Sequence, residues 1–116
     1  MLAVDRLLEI EGEFSDRVLR IVALEFDGET LRLVLYLEDG PNLRVSEQWQ
    51  GAVLKRYSYY WLTAENVLQI GWDNAPHHTE MSSFPHHKHV GEQNNLCSSG
   101  ETCLEDVMEF ILSKNG

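Results

Sequence analysis

The sequence predicts an α+β fold, an antiparallel meander sheet of about five strands with a C-terminal helix packed on one face. Five strand-like segments follow one another between residues 17 and 72 and are joined by short turns, which favours antiparallel neighbours. Near the end of the sequence, apolar residues at helical spacing predict the C-terminal helix. With 116 residues, the chain has the length of one domain, residues 1–116, built around one core.

The first two predicted strands form a hairpin. Residues 17–26 are rich in Val, Ile and Leu, and they are followed by the turn signal Asp-Gly at residues 27–28. Residues 31–38 then alternate strictly, with four leucines on one face of the strand. Ahead of this hairpin, apolar residues at helical spacing predict a short N-terminal helix over about residues 2–9.

Three more predicted strands complete the sheet. Residues 43–49 alternate in the same way, which places Glu47 among apolar neighbours. Residues 52–62 form the fourth predicted strand and carry a stripe of aromatic side chains. Residues 67–72 form the fifth, after a turn. Strands joined by such short turns are expected to pair in chain order.

A long irregular segment and a helix follow the predicted sheet. Residues 73–100 lack any periodicity, and a loop of this length in a small domain is typically functional or disordered. Thr102 and Glu105 fit a capping box that opens the C-terminal helix. The helix has apolar residues on one side and acidic residues on the other, so we expect it to cover one face of the sheet.

The charge and hydropathy of the chain limit its partners. Nine basic against 19 acidic residues give a net charge of −10, which opposes a nucleic-acid partner because phosphate affinity comes from Lys and Arg. This excess lies outside residues 44–89, where four residues of each sign balance. There is no apolar stretch of about 20 residues, so we expect no membrane span. Asp5 and Glu9 oppose a signal peptide, and the sequence therefore predicts a cytoplasmic protein with free thiols at Cys97 and Cys103.

A cluster of histidines carries the clearest chemical signal. Five of them fall within thirteen residues, namely His77, His78, His86, His87 and His89. Since imidazole titrates near neutral pH, two rings can supply the base and the acid that metal-free RNA cleavage through the 2′-hydroxyl requires, with no cofactor. Three ring nitrogens with a carboxylate can instead bind a divalent metal ion such as Zn²⁺. A third interpretation is that some of these rings merely face solvent or cap loops.

Two carboxylates are candidate partners of these histidines. Asp73 either orients an imidazole or closes an Asx turn at the start of the irregular segment. Glu47 is either exposed through a shifted strand register or a desolvated carboxylate with a cationic partner. Both residues are predicted members of a catalytic site.

Four other side chains are candidate substrate contacts. Arg44, Arg56 and Lys88 suit phosphate, although exposed basic residues on a sheet often only aid solubility. Tyr59 belongs to an aromatic stripe that can stack on bases or pack in the core.

Four blocks of this sequence resemble the TumE-type toxins of prokaryotic toxin–antitoxin pairs. They read YSYYW at residues 57–61, DNAPHH at 73–78, FPHHKH at 84–89 and LEDV at 104–107. The resemblance covers about residues 31–112 and includes the position of Glu47, whereas Gly71 stands where the family more often has a basic residue. It implies a small toxin that is inhibited by an adjacently encoded antitoxin with a helix-turn-helix domain.

Two hypotheses follow from the residues and the resemblance. In the first, the chain is a toxin and an endoribonuclease: His77 or His78 shares acid and base roles with His87 or His89, and Glu47 assists. In the second, it is a non-catalytic module that binds a metal ion or a protein through a structural histidine-rich loop. A homodimer is an arrangement that the sequence leaves open.

Overall fold

The structure is a computed structural model that describes residues 1–76, 84–93 and 95–115. Within these ranges, seven antiparallel strands lie in chain order in one sheet, with one helix ahead of the sheet and one after it. The helices are α1 (Ala3–Phe14) and α2 (Leu104–Asn115). The strands are β1 (Arg20–Asp27), β2 (Thr30–Tyr36), β3 (Asn42–Gln50), β4 (Val53–Leu62), β5 (Leu68–Asp73), β6 (His87–Val90) and β7 (Leu96–Ser98).

The predicted α+β class, the meander and the C-terminal helix are confirmed, but the predicted number of strands is wrong. The sheet has seven strands rather than five, because β6 and β7 lie in the segment that lacks sequence periodicity. β6 is only four residues long and has no alternation of apolar residues. It forms a strand because it pairs with β5 on one side and β7 on the other. The N-terminal helix is also longer than predicted, at twelve residues.

The sheet has two faces of different character. Alternate residues of each strand point to a face that both helices cover, which we call the helix face. The other face carries a row of directly paired polar residues across six strands, and we call it the open face. The row consists of Arg32, Ser46, Ser58, Asp73, His87 and Ser98.

The core fills the space between the helix face and the two helices. Its large buried side chains include Tyr59 and Trp72 from the sheet, Phe14 from α1 and Ile111 from α2. Phe110 of α2 meets the Trp72 ring edge-on at a centroid distance of 5.7 Å. Burial of these apolar surfaces supplies most of the driving force that holds the helices on the sheet.

The predicted capping box is absent at the start of α2. The Thr102 N–H is hydrogen bonded to the Asp106 carboxylate at 3.2 Å, whereas Glu105 accepts hydrogen bonds from Arg6 of α1. Cys97 and Cys103 are free thiols. Within the described ranges, neither helix is long and apolar enough to cross a membrane.

Candidate active site on the open face

Two histidines and one aspartate meet at the end of β5. His87 and His89 are two residues apart on β6, so both rings point to the open face, and Asp73 is the direct strand partner of His87. Nε2 of His87 lies 2.7 Å from Oδ1 of Asp73, and Nε2 of His89 lies 3.2 Å from Oδ2 of the same carboxylate. The two ring centroids are 5.3 Å apart. We call this cluster the Asp73–His87–His89 centre.

Backbone carbonyls fix the orientation of both rings. Nδ1 of His87 lies 3.1 Å from the Pro85 carbonyl oxygen, and Nδ1 of His89 lies 2.5 Å from the Gln93 carbonyl oxygen. A carbonyl oxygen can only accept, so each Nδ1 carries the proton and donates it. Both Nε2 atoms therefore face the Asp73 carboxylate, which also accepts the Ala75 N–H at 3.0 Å in an Asx turn.

The centre lines an open cleft of about 630 Å³. Arg56, Ser58 and Tyr60 of β4 form part of its wall, since they lie on the same face of the sheet. A second cavity of about 670 Å³ shares Ser58 and Tyr60 with the first and contains Arg32 and Arg44. The two cavities are therefore adjacent, and together we call them the depression of the open face.

Three arginines bring positive charge to this depression. Arg32, Arg44 and Arg56 lie on β2, β3 and β4, all three are exposed, and each lines one of the two cavities. None of the three forms an ion pair with a residue in the described ranges. Their guanidinium groups are therefore available for anions such as phosphate.

Tyr60 lies across Gly71, between the two cavities. A Cβ atom at position 71 would come within 2.4 Å of Cδ1 of Tyr60, so the ring occupies the space that any other residue would need. Burial, and then the charge of Asp73, raise the pKa of the Tyr60 hydroxyl above its ordinary value. A basic side chain at position 71 would thus require the Tyr60 ring to move.

Three predicted site residues lie on the helix face instead. Glu47 borders the cleft, but its carboxylate lies in the core and accepts hydrogen bonds from Arg6 at 2.8 Å and from Tyr59 at 2.7 Å. Tyr59 is fully buried and belongs to the core. Nζ of Lys88 lies 3.6 Å from the Glu101 carboxylate. The structure therefore does not bring these three side chains to the histidines, and Glu47 is the desolvated carboxylate with a cationic partner, not the exposed one.

The remaining histidines fall into two groups. His86 stacks on Tyr57 at a centroid distance of 5.8 Å, with Nδ1 at 3.0 Å from the tyrosine hydroxyl. Burial, and then the neighbouring His87, lower the pKa of the His86 ring. His77 and His78 lie outside the described residues, so their pairing with His87 or His89 stays a prediction.

Arg6, Arg32 and Tyr60 were not among the predicted site residues. Arg6 shares a helix face with Ala3, Ile10 and Phe14, all of which are buried, and this spacing was a usable signal. Arg32 alternates with the leucines of β2, which puts it on the open face. The proximity of Tyr60 to Gly71 has no comparable signal in the sequence.

Comparison with known proteins supports the resemblance seen in the sequence. Residues 5–114 match the family described as Toxin TumE, which is nearly the whole chain. No curated protein and no solved structure gives a significant match.

Proposed function

We propose that this chain, which belongs to the TumE toxin family, acts as the toxin of a toxin–antitoxin pair by cleaving RNA in the cleft of the open face. The observation that carries the proposal is the meeting of Asp73, His87 and His89 in one cleft with Arg56. A cluster of imidazoles and a carboxylate beside an exposed guanidinium is a combination that suits cleavage of a phosphodiester.

The distribution of charge is compatible with an RNA substrate in spite of the net charge of −10. Seven of the 19 acidic residues belong to the two helices, four in α1 and three in α2, and the helices lie behind the sheet. The open face carries Arg32, Arg44 and Arg56 along its depression. The acidic helices thus lie on the side away from the cleft, where a basic antitoxin surface can bind by charge complementarity.

The proposed reaction is cleavage through the 2′-hydroxyl of the substrate. The 2′-oxygen attacks the adjacent phosphorus, the bond from phosphorus to the 5′-oxygen breaks, and the products are a 2′,3′-cyclic phosphate and a 5′-hydroxyl. The 2′-hydroxyl loses its proton and the departing 5′-oxygen gains one, so the reaction needs no oxidant or reductant. The Asp73–His87–His89 centre takes the proton from the 2′-hydroxyl and returns one to the 5′-oxygen, while Arg56 and the Tyr60 hydroxyl donate hydrogen bonds to the phosphate.

Purified chain and a labelled single-stranded RNA oligonucleotide test this proposal. We expect cleavage of the RNA with a cyclic phosphate on the product, and no cleavage of the same oligonucleotide with 2′-deoxy sugars. His87→Ala and His89→Ala should each lower the rate by about a hundredfold or more, the range for loss of a positioned acid or base. Lys88→Ala is the matched control because Lys88 lies between them on β6 and points to the helix face.

Two results would contradict the proposal. One is intact RNA after incubation with folded wild-type chain that arrests growth when it is expressed. The other is cleavage by the histidine variants at the rate of the Lys88→Ala control, which would place the reaction away from the centre.

A further inference from the structure

We infer that Asp73, His87 and His89 bind a divalent transition-metal ion of the class of Zn²⁺. The inference deepens the proposed function, because it names a cofactor for the same cleft. A role of the ion in the reaction depends on the proposed function. The binding of the ion depends on the geometry of the three residues alone.

The three residues offer ligand atoms at suitable separations. One nitrogen from each histidine and one carboxylate oxygen lie within 4.8 Å of one another. The shortest nitrogen-to-oxygen distance is 2.7 Å, from His87 to Asp73. Two ligand atoms that each lie about 2.1 Å from a tetrahedral zinc ion are about 3.4 Å apart. An ion therefore fits after shifts of less than about 1 Å in the carboxylate and the rings.

The orientation of the rings leaves one coordinating atom on each. Because Nδ1 of His87 and of His89 donates to a backbone carbonyl, the lone pair available for a metal is on Nε2. Metal-binding histidines nearly always donate their second nitrogen to a carbonyl or carboxylate in this way, which fixes the tautomer. The Pro85 and Gln93 carbonyl oxygens thus already accept the second ring nitrogens, as such a site needs.

Electrostatics also favour a cation between the three groups. With Nδ1 protonated, a neutral ring presents an Nε2 lone pair to Asp73, whose ionised carboxylate can accept a hydrogen bond but cannot donate one. Both rings face the same carboxylate, so a divalent ion between the three groups would meet two ring nitrogens and a carboxylate oxygen.

The donor set selects the class of ion. Two imidazoles with one carboxylate suit zinc, cobalt, nickel, copper and ferrous ions, whereas Mg²⁺ and Ca²⁺ prefer oxygen ligands alone. The ligands lie on paired strands, and Asp73 and His87 are buried, so the site is held rigidly. Three protein ligands leave a coordination position open, as in catalytic rather than structural zinc sites, and the open cleft gives a phosphate or 2′-oxygen access to it.

Metal titration of chain without a polyhistidine tag tests the inference. Chelator-treated protein is titrated with ZnCl₂ by calorimetry and with CoCl₂ by visible absorption. We expect one ion per chain. His89→Ala and Asp73→Asn should each weaken zinc binding at least about a hundredfold. This is more than is typical for the loss of a group that only hydrogen bonds to a metal ligand. Lys88→Ala should bind zinc as the wild type does.

The variants are chosen so that they stay folded. His89 is the more exposed of the two ring ligands, so its loss disturbs the packing less than the loss of His87 would. Asn at position 73 keeps the oxygen that accepts the Ala75 N–H. Near-ultraviolet circular dichroism, which reports the packing of the buried tryptophan and tyrosines, checks each variant before titration.

Each outcome decides one part of the inference. Wild-type chain that takes up no zinc overturns it, and so does wild-type affinity in both His89→Ala and Asp73→Asn, because the ion would then be bound elsewhere. Zinc binding at the centre without RNA cleavage supports the site and refutes the proposed function. Equal cleavage rates for chelator-treated and zinc-loaded chain refute a part for the ion in the reaction.

Discussion

Arg6 of α1 and Glu47 of β3 form an ion pair inside the core, with Nε of the arginine 2.8 Å from Oε1 of the glutamate. Arg6 is 3% exposed and Glu47 is 1% exposed. The same guanidinium donates to Glu105 of α2 at 2.8 Å, so this arginine links both helices to the sheet. Although burial alone would lower the pKa of Arg6, its hydrogen bonds to Glu47 and Glu105 raise it, and the group stays charged.

Removal of the Arg6 charge should destabilise the fold strongly. Arg6→Met leaves the Glu47 carboxylate in the core without a cation, and such a loss costs about 3–5 kcal/mol. Urea denaturation measures the change in the free energy of unfolding. Arg17→Met removes an exposed arginine and should cost less than about 1 kcal/mol. The double variant Arg6→Met/Glu47→Met should recover part of the loss, and equal costs for Arg6→Met and Arg17→Met would contradict the account.

The contact between Arg6 and Glu105 should make stability depend on acid pH. Burial opposes ionisation of Glu105, but hydrogen bonds from Arg6 outweigh it, so the pKa of this carboxyl lies below its usual 4.5. A lowered folded-state pKa contributes stability that is complete above the unfolded value and is lost as pH falls through the folded value. Wild-type chain should therefore be more stable than Glu105→Gln at pH 7, and the difference should shrink below about pH 4.5. A difference that stays constant from pH 7 to pH 3 would refute the assignment.

A side chain at position 71 should disturb Tyr60. Gly71→Ala places Cβ 2.4 Å from the tyrosine ring, and overpacking of this kind costs about 1–3 kcal/mol. In a Tyr60→Ala background the same substitution should cost less than about 1 kcal/mol, because the obstructing ring is gone. Gly12→Ala is the control, since a Cβ there meets no atom within 4 Å and helix propensity favours alanine. Equal costs of Gly71→Ala in the two backgrounds would show that the ring is not the obstacle.

The arginines of the open face should bind the RNA backbone. A 2′-O-methyl oligonucleotide, which lacks the attacking hydroxyl, allows binding to be measured without cleavage. Arg32→Ala and Arg44→Ala should each weaken binding and lower the slope of log affinity against log salt by about 0.7, the value for one phosphate contact on a single strand. Lys114→Ala on α2 should leave the slope unchanged. If Arg32→Ala and Arg44→Ala keep the same slope as Lys114→Ala and the wild type, the open face is not the surface that binds RNA.

Much of the sheet was predictable because its strands alternate. The leucines of β2 identify a strand with one buried face, and all those within it are buried in the structure. The same rule places Glu47 on the buried face of β3, although it cannot name the partner, which comes from α1 far away in sequence. The sequence does not predict β6, because residues 87–90 have no apolar alternation and their strand geometry comes from pairing with β5 and β7.

The candidate site was predictable in its residue types and less so in its geometry. The histidine cluster indicated the segment, and the strand pairing of Asp73 with His87 then selects these residues. Alternation along β6 separates Lys88 from the two histidines, and this separation becomes predictable only once residues 87–90 are known to form a strand. Arg44 and Arg56, both predicted from charge alone, line the two adjacent cavities.

The most direct test of the open-face centre is growth of cells in which the chain is induced at equal protein levels. Wild type and Lys88→Ala should both arrest growth, whereas Asp73→Asn, His87→Ala and His89→Ala should each allow cells to divide at the rate of uninduced cells. Arrest by all three centre variants at the wild-type level would contradict the account, because the toxic activity would then not depend on these groups.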